Sequence, residues 1–252
     1  MPRLLPMRVD ILSLLPGMFR EVFDHGIVRR ARQAGLLRIE THALTDWTEG
    51  RFQRADDAPY GGGPGMVMRV EPLVEAVEAI RGLDAAKPRI VLLSPRGRQL
   101  DQTVVVELAR ETRLLLVAGR YEGVDERFAT LSGAEELSVG DYVLSGGEIP
   151  AMVVVDAVTR LIPGAVGDSE SVVRESFATG LLEHAQYTRP PVFRGREVPP
   201  VLLSGNHEAV RRFRLEESVE VTRKRRPDLF STFAVQAAAA SKPNPSTKEK
   251  PS

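Results

Sequence analysis

Apolar and polar positions follow two different periods along the first two thirds of the chain. MRVDILSLLP (7–16) is an apolar run that predicts a buried strand and turn, and LRIETHAL (37–44) alternates with period two, as a half-buried strand does. Between them a helical stretch extends to about Ala34, where Gly35 ends it. VEPLVEAVEAIRGL (70–83) carries apolar residues at helical spacing. Short apolar runs return at RIVLLSP (89–95) and RLLLVAG (113–119), with helix-like DQTVVVELARE between them. YVLSGGEIP (142–150) reads as a third strand-to-loop transition, and the helix after it, about 148–161, takes Pro150 in its first turn, where proline costs little. Strands alternating with helices predict an α/β domain on a mainly parallel sheet over residues 1–162.

Beyond Ile162 the pattern changes. PGAVGDSESVVRES (163–176) is rich in Gly and Ser and predicts a flexible linker. Residues 177–235 lack strand alternation and predict a small, mainly helical domain, while 236–252 form a low-complexity tail expected to be disordered. No internal repeat is present. With no cysteine, disulfides, thiolate metal sites and cysteine nucleophiles are excluded. The absence of a long apolar run and of a signal layout at the N-terminus predicts a cytoplasmic protein without a membrane span. Net charge is zero but unevenly placed: residues 189–228 hold ten Arg and Lys against six Asp and Glu, whereas residues 1–188 hold 21 against 27. A locally basic end on a neutral protein suits a polyanion, although a solvated charged surface explains the same counts.

Three glycine-bearing loops are the candidate chemistry: YGGGPGM (60–66), GRYEGVDER (119–127) and VGDYVLSGGEIP (139–150). Glycine lets the main chain approach a ligand closely, and loops at the ends of adjacent parallel strands form a ligand crevice, though tight turns alone account for any one of them. There is no G-x-G-x-x-G fingerprint after a strand, no Walker A pattern, and no lysine beside the 60–66 loop. A ligand held by backbone and apolar contacts without phosphate clamps is compatible with an adenosine-type cofactor.

Taken together with ILSLLPGMF, RADDAPYGGGPGM, LLSPRGRQLDQ, TRLIPG, ESFATGLLEHAQYTRP and VPPVLLSGNHEAVRRFR, these loops make the chain resemble the bacterial tRNA (guanine-N1)-methyltransferases of the knotted SPOUT superfamily, from about Met7 to Leu229. The resemblance implies a deep trefoil knot around the cofactor loops, a feature that general topology argues against and no hydrophobic pattern reveals. It implies transfer of a methyl group from S-adenosylmethionine to N1 of the guanine at position 37 of tRNA, 3′ of the anticodon. The cofactor is expected against Ser94, Pro95, Gly119, Tyr121, Gly123, Val139, Gly140, Asp141, Tyr142, Val143, Leu144, Gly146, Gly147 and Pro150; for Val139 and Leu144, plain core packing is the alternative.

N1 of guanine carries a proton, so a base must remove it while a cation stabilises charge developing on O6. The family's arginine matches Arg160. Its catalytic aspartate is replaced here by Glu175, one methylene longer, with Asp168 and Glu170 as the fallback bases. Family activity depends on Mg²⁺, for which Glu122 and Glu175 form a candidate ligand pair, unless Glu122 only orients its loop. Arg120 either approaches the target base or serves a salt bridge, and Asp56 matches a position near the guanine pocket or is a turn aspartate. Arg211, Arg212, Arg214, Arg223, Lys224, Arg225 and Arg226 are candidates for tRNA phosphates, against a solvated helix face; His207 is structural. The resemblance also implies a homodimer with a site shared between subunits. Competing readings are a non-catalytic RNA-binding maturation factor of the same fold, favoured only by Glu175, and a related methyltransferase acting on ribosomal RNA or another tRNA base.

Overall fold

A computed structural model describes residues 5–48, 54–167 and 175–240, with the backbone alone for 236–240. The chain forms two units, Met1–Ser169 and Glu170–Ser252.

The first unit is built on a five-stranded parallel sheet of order β2-β1-β6-β5-β7. Its strands are β1 (Met7–Ser13), β2 (Leu37–Ala43), β5 (Arg89–Gln99), β6 (Arg113–Ala118) and β7 (Glu135–Ser138); the two-residue strands β3 (Asp56–Asp57) and β4 (Val67–Met68) pair separately, antiparallel. Every residue of β1 and β6 is buried, which is why both read as continuous apolar runs instead of alternating ones.

Period two still sorts their side chains. Val9 and Ile11 of β1, Leu114 and Leu116 of β6 and Val91 of β5 share one core with α2 (Gly26–Gln33), α4 (Gln102–Ala109) and α6 (Glu148–Arg160). Leu12, Leu115, Val117, Ile90 and Leu92 share the opposite core with α3 (Val70–Arg81) and Phe128 of α5 (Arg127–Ser132). The predicted α/β class with a parallel sheet is therefore observed, helices covering both faces.

Several predicted boundaries move. The helical stretch before Ala34 is divided into a 3-10 turn (Pro16–Phe19), a short α1 (Arg20–Phe23) and α2, the break before α2 falling where Gly26, its first residue, adopts φ +62°. The strand expected within YVLSGGEIP lies earlier, at β7; residues 139–147 form a loop, since Gly140 (φ +148°) cannot continue the strand. Beyond Pro95, where a turn was expected, β5 runs on to Gln99 through a register shift between Leu93 and Arg98.

One charged cluster is buried in this unit. Asp10 and Arg113 have fully buried side chains, joined by Arg113 Nε donating to Asp10 Oδ2 at 2.9 Å. Asp10 also accepts from Arg8 Nε at 3.0 Å and lies 2.9 Å from His42 Nε2. Arg113 donates onward to the carbonyls of Ile80, Arg81 and Ala86, tying the C-terminal end of α3 to the sheet.

In the second unit, helices span Pro200–Leu203, His207–Arg225 and Pro227–Ala240. Residues 181–199, expected to be largely helical, instead hold no helix and form a hairpin, Val192–Phe193 against Arg196–Glu197. The last helix takes in the first five residues of the tail predicted to be disordered, 236–240; residues 241–252 lie outside the described residues.

Candidate functional site

A cavity of about 370 Å³ opens where β5 bends and where β6 and β7 end, the side of a parallel sheet on which ligands bind. Two of the three glycine loops form its walls. Gly147 lies so close to the end of β6 that a Cβ there would be 2.7 Å from Ala118 Cα, and its N–H donates to the Gly119 carbonyl at 2.7 Å. A side chain would separate the loops, so glycine is required by close approach. Tyr121 is held at φ +60°, a conformation that costs a non-glycine residue and recurs at binding sites. The 60–66 loop supports the wall from behind: Glu122 N–H donates to the Met66 carbonyl at 2.9 Å, and Met68 N–H to the Gly123 carbonyl at 2.9 Å.

Ser94, Pro95, Gly119, Tyr121, Gly123, Val139, Gly140, Tyr142, Val143, Leu144, Gly146, Gly147 and Pro150 line this cavity together with Arg120 and Glu122. Asp141 is outside the lining and exposed. Tyr142 N–H donates to the Gly140 carbonyl at 2.9 Å, which puts Asp141 at the apex of a three-residue turn, away from the wall. Leu144 is 38% exposed, which core packing does not account for, while Val139 is half-buried.

Sequence reasoning missed the group that holds Arg120. Glu148, in the first turn of α6, is buried; its Oε2 accepts from Arg120 Nε at 3.2 Å and its Oε1 from Ser13 Oγ at 2.8 Å. The salt-bridge alternative for Arg120 is thus observed, and it sits in the cavity wall. Nothing in the pattern distinguishes Glu148 from an ordinary acidic residue in a first helical turn. Arg96 and Glu126, also unanticipated, line the rim and pair at 2.8 Å, both largely exposed. Asp125, likewise in the lining, has its carboxyl lowered by hydrogen bonds from Arg127.

The remaining candidates are dispersed. Arg160 ends α6, and Asp56 in β3 pairs in register with Met68. Glu175 is half-buried in the second unit at the start of a turn, its carbonyl accepting from Ala178 N–H at 3.2 Å. Asp168 and Glu170 lie outside the described residues. Among the basic candidates, Arg223 and Lys224 both pair with Glu220, Arg226 with Asp228 and, at 3.9 Å, Arg212 with Glu216. Arg211, Arg214 and Arg225 are exposed and have no ion pair among the described residues. His207 begins the long helix, exposed and capped by Asn206, whose side chain accepts from Ala209 N–H.

These features define an α/β protein with a parallel sheet and a glycine-walled small-ligand cavity at its carboxyl edge. The family model described as tRNA (Guanine-1)-methyltransferase TrmD matches residues 7–232. Relatives bearing the name tRNA (guanine-N(1)-)-methyltransferase include one from Dehalococcoides mccartyi, 48% identical over 92% of this chain and 94% of its own length. Another, from Moorella thermoacetica, is 51% identical over 89% of this chain and 90% of its own, and one from Escherichia coli is 50% identical over 91% and 90%. The chain belongs to the tRNA (guanine-N1)-methyltransferase family. Among the described residues, no helix is long and apolar enough to cross a membrane.

Proposed function

We propose that this protein transfers a methyl group from S-adenosylmethionine to N1 of the guanine at position 37 of tRNA, in the cytoplasm. The observation that carries the reading is the family match over residues 7–232, on a chain whose matching loops meet in one cavity. The cavity suits the donor. Leu92, Leu93, Leu137, Ala129 and Pro150 offer apolar surface to an adenine, the glycine backbones offer close polar contacts, and Glu122 and Glu126 offer carboxylates to an amino group. When bound, the donor supplies a methyl group on a sulfonium centre. The chain's part is to hold the acceptor, remove the N1 proton and steady the charge on O6. Glu175 takes that proton as the N1–carbon bond forms and the carbon–sulfur bond breaks, and Arg160 faces the O6 charge.

For Mg²⁺, no group of three or more metal-ligating side chains occurs among the described residues. An ion between Glu122 and Glu175 would take its other ligands from water and substrate, as Mg²⁺ commonly does. The trefoil knot is part of the same proposal. Its support is close approach of chain segments: a Cβ on Gly97 would lie 2.2 Å from Leu137 N of the paired strand β7, and Gly147 abuts Ala118. We assign residues 1–162 to the knotted domain, 163–176 to a linker and 177–235 to tRNA binding.

A homodimer with composite sites completes the proposal. Leu15, Met18 and Val22 near the N-terminus and Ile149 and Val153 of α6 are each more than 40% exposed, an apolar face suited to a second copy. Glu175→Gln is expected to lower turnover by about a hundredfold or more, read as tritium transfer from labelled donor to tRNA, with donor affinity unchanged. Glu175→Asp should stay active. Near-normal turnover in Glu175→Gln would move the base to Asp168 or Glu170. Mixing Gly146→Val with Glu175→Gln protein should restore activity, because one site of each mixed dimer then carries neither defect; inactivity of verified mixed dimers would count against composite sites.

A further inference from the structure

The hairpin Val192–Glu197 has no role in the site described above, and it brings an exposed aromatic ring together with three exposed cations. Its two-residue turn holds Arg194 at φ +51° and Gly195 at φ +74°. Asn or Gly occupies the first of these positions more readily, so arginine stands there at a backbone cost. The turn folds the Arg194 guanidinium over the Phe193 ring, 5.3 Å from its centroid, while Phe193 remains 62% exposed. Arg189, Arg194 and Arg196 are all exposed, and none has an ion pair among the described residues. The basic cluster at 223–226 differs: three of its four cations are paired, Arg223 and Lys224 sharing Glu220 and Arg226 with Asp228.

We infer that this hairpin is an RNA-contacting finger: an unpaired base of the tRNA stacks on Phe193, and Arg189, Arg194 and Arg196 hold the flanking phosphates. A planar aromatic offered to solvent with a guanidinium stacked on it, among cations lacking carboxylate partners, is the chemistry that receives single-stranded nucleic acid. A second copy of the chain fits less well, because hairpins meeting across a two-fold axis would set these arginines against one another. The inference rests on tRNA being the substrate and adds a contact outside the helical basic cluster.

The test is equilibrium binding of unmodified tRNA to the full chain across a salt series, with donor affinity by calorimetry and sedimentation run on each variant. Phe193→Ala is expected to weaken tRNA binding by about tenfold or more, leaving the salt slope, donor affinity and association state unchanged. Phe193→Trp should bind as the unaltered protein does, which separates stacking from hairpin collapse. Arg194→Gln with Arg196→Gln should reduce the salt slope by about 2. Unchanged tRNA affinity in Phe193→Ala overturns the inference, as does a change in sedimentation, which would make the hairpin a contact between copies. Failure of the unaltered protein to methylate tRNA would defeat the substrate reading itself, an outcome distinct from either.

Discussion

The two units handle charge in opposite ways. In the first, Asp10 and Arg113 are sealed from water and Glu148 reaches Arg120 from a buried position, every group with named partners at 2.8–3.2 Å. In the second, the cations of the long helix stand in solvent, some paired one turn away and some without a partner among the described residues. A small cofactor needs a wall whose shape exists before it arrives. A polyanion needs charges that can exchange counter-ions for phosphates, which buried ions cannot do. The difference separates fixed charge, which sets geometry, from solvated charge, which sets affinity and its salt dependence.

The largest effect should come from breaking the fixed side. Asp10→Asn leaves Arg113 buried without its counter-charge and is expected to cost about 3–5 kcal/mol in a denaturant midpoint series. The same carboxylate makes stability depend on pH. Burial pushes its pKa up, but hydrogen bonds from His42, Arg8 and Arg113 outweigh this and hold it at about 2, below the ordinary 3.8. Its contribution, about 2 kcal/mol, is therefore complete above pH 4 and is lost as pH falls through 2. Asp10→Asn should flatten stability across that window alone.

Next in size is Gly146→Val. A Cβ at Gly146 would lie 2.4 Å from Glu148 Oε2 and 2.7 Å from Arg120 Nε, so the substitution must displace the pair as well as crowd the cavity. Donor affinity by calorimetry should fall about a hundredfold while the circular dichroism spectrum is retained; unchanged binding would remove this loop from the cofactor site. Glu148→Gln is gentler, since it keeps the shape and removes the charge that holds Arg120. A loss on the order of tenfold in turnover is expected, with a smaller loss for Ser13→Ala, and equal activity of all three proteins would make the chain of contacts purely structural.

The smallest effects belong to the solvated side and sharpen the contrast within it. Arg225→Gln removes an unpaired cation and should lower the slope of log affinity against log salt by about 1. Arg226→Gln, which removes a cation already paired with Asp228 at 2.6 Å, should change the slope less. Equal changes would show that pairing with a neighbouring carboxylate does not withhold a cation from RNA.

Much of this was legible in the residues and some was not, for identifiable reasons. Strand β6 and the first half of β5, Ile90–Leu93, announced themselves because a segment buried on both faces must be apolar throughout. Helix α3 did so because its core-facing residues Leu73, Ala76, Val77 and Ile80 recur at helical spacing. The cavity-lining loops were visible as glycine clusters, while the turn that leaves Asp141 outside the lining was not, since a three-residue turn at Gly140 is a property of backbone angles and not of residue type. The hairpin in the second unit went unseen because Arg-Gly is a weak turn signal beside Asn-Gly.

By itself the sequence determined the α/β class, the apolar faces of its elements and the family to which the chain belongs, because periodicity and motif order are local properties of the chain. The tertiary structure alone decided which charges meet. Ser13 and Glu148 are 135 residues apart and Asp10 and Arg113 are 103, and no local pattern encodes such pairs. They exist because the parallel crossovers bring β1 beside β6 and the start of α6 beneath the cavity wall, where desolvation makes each partner obligatory for the other.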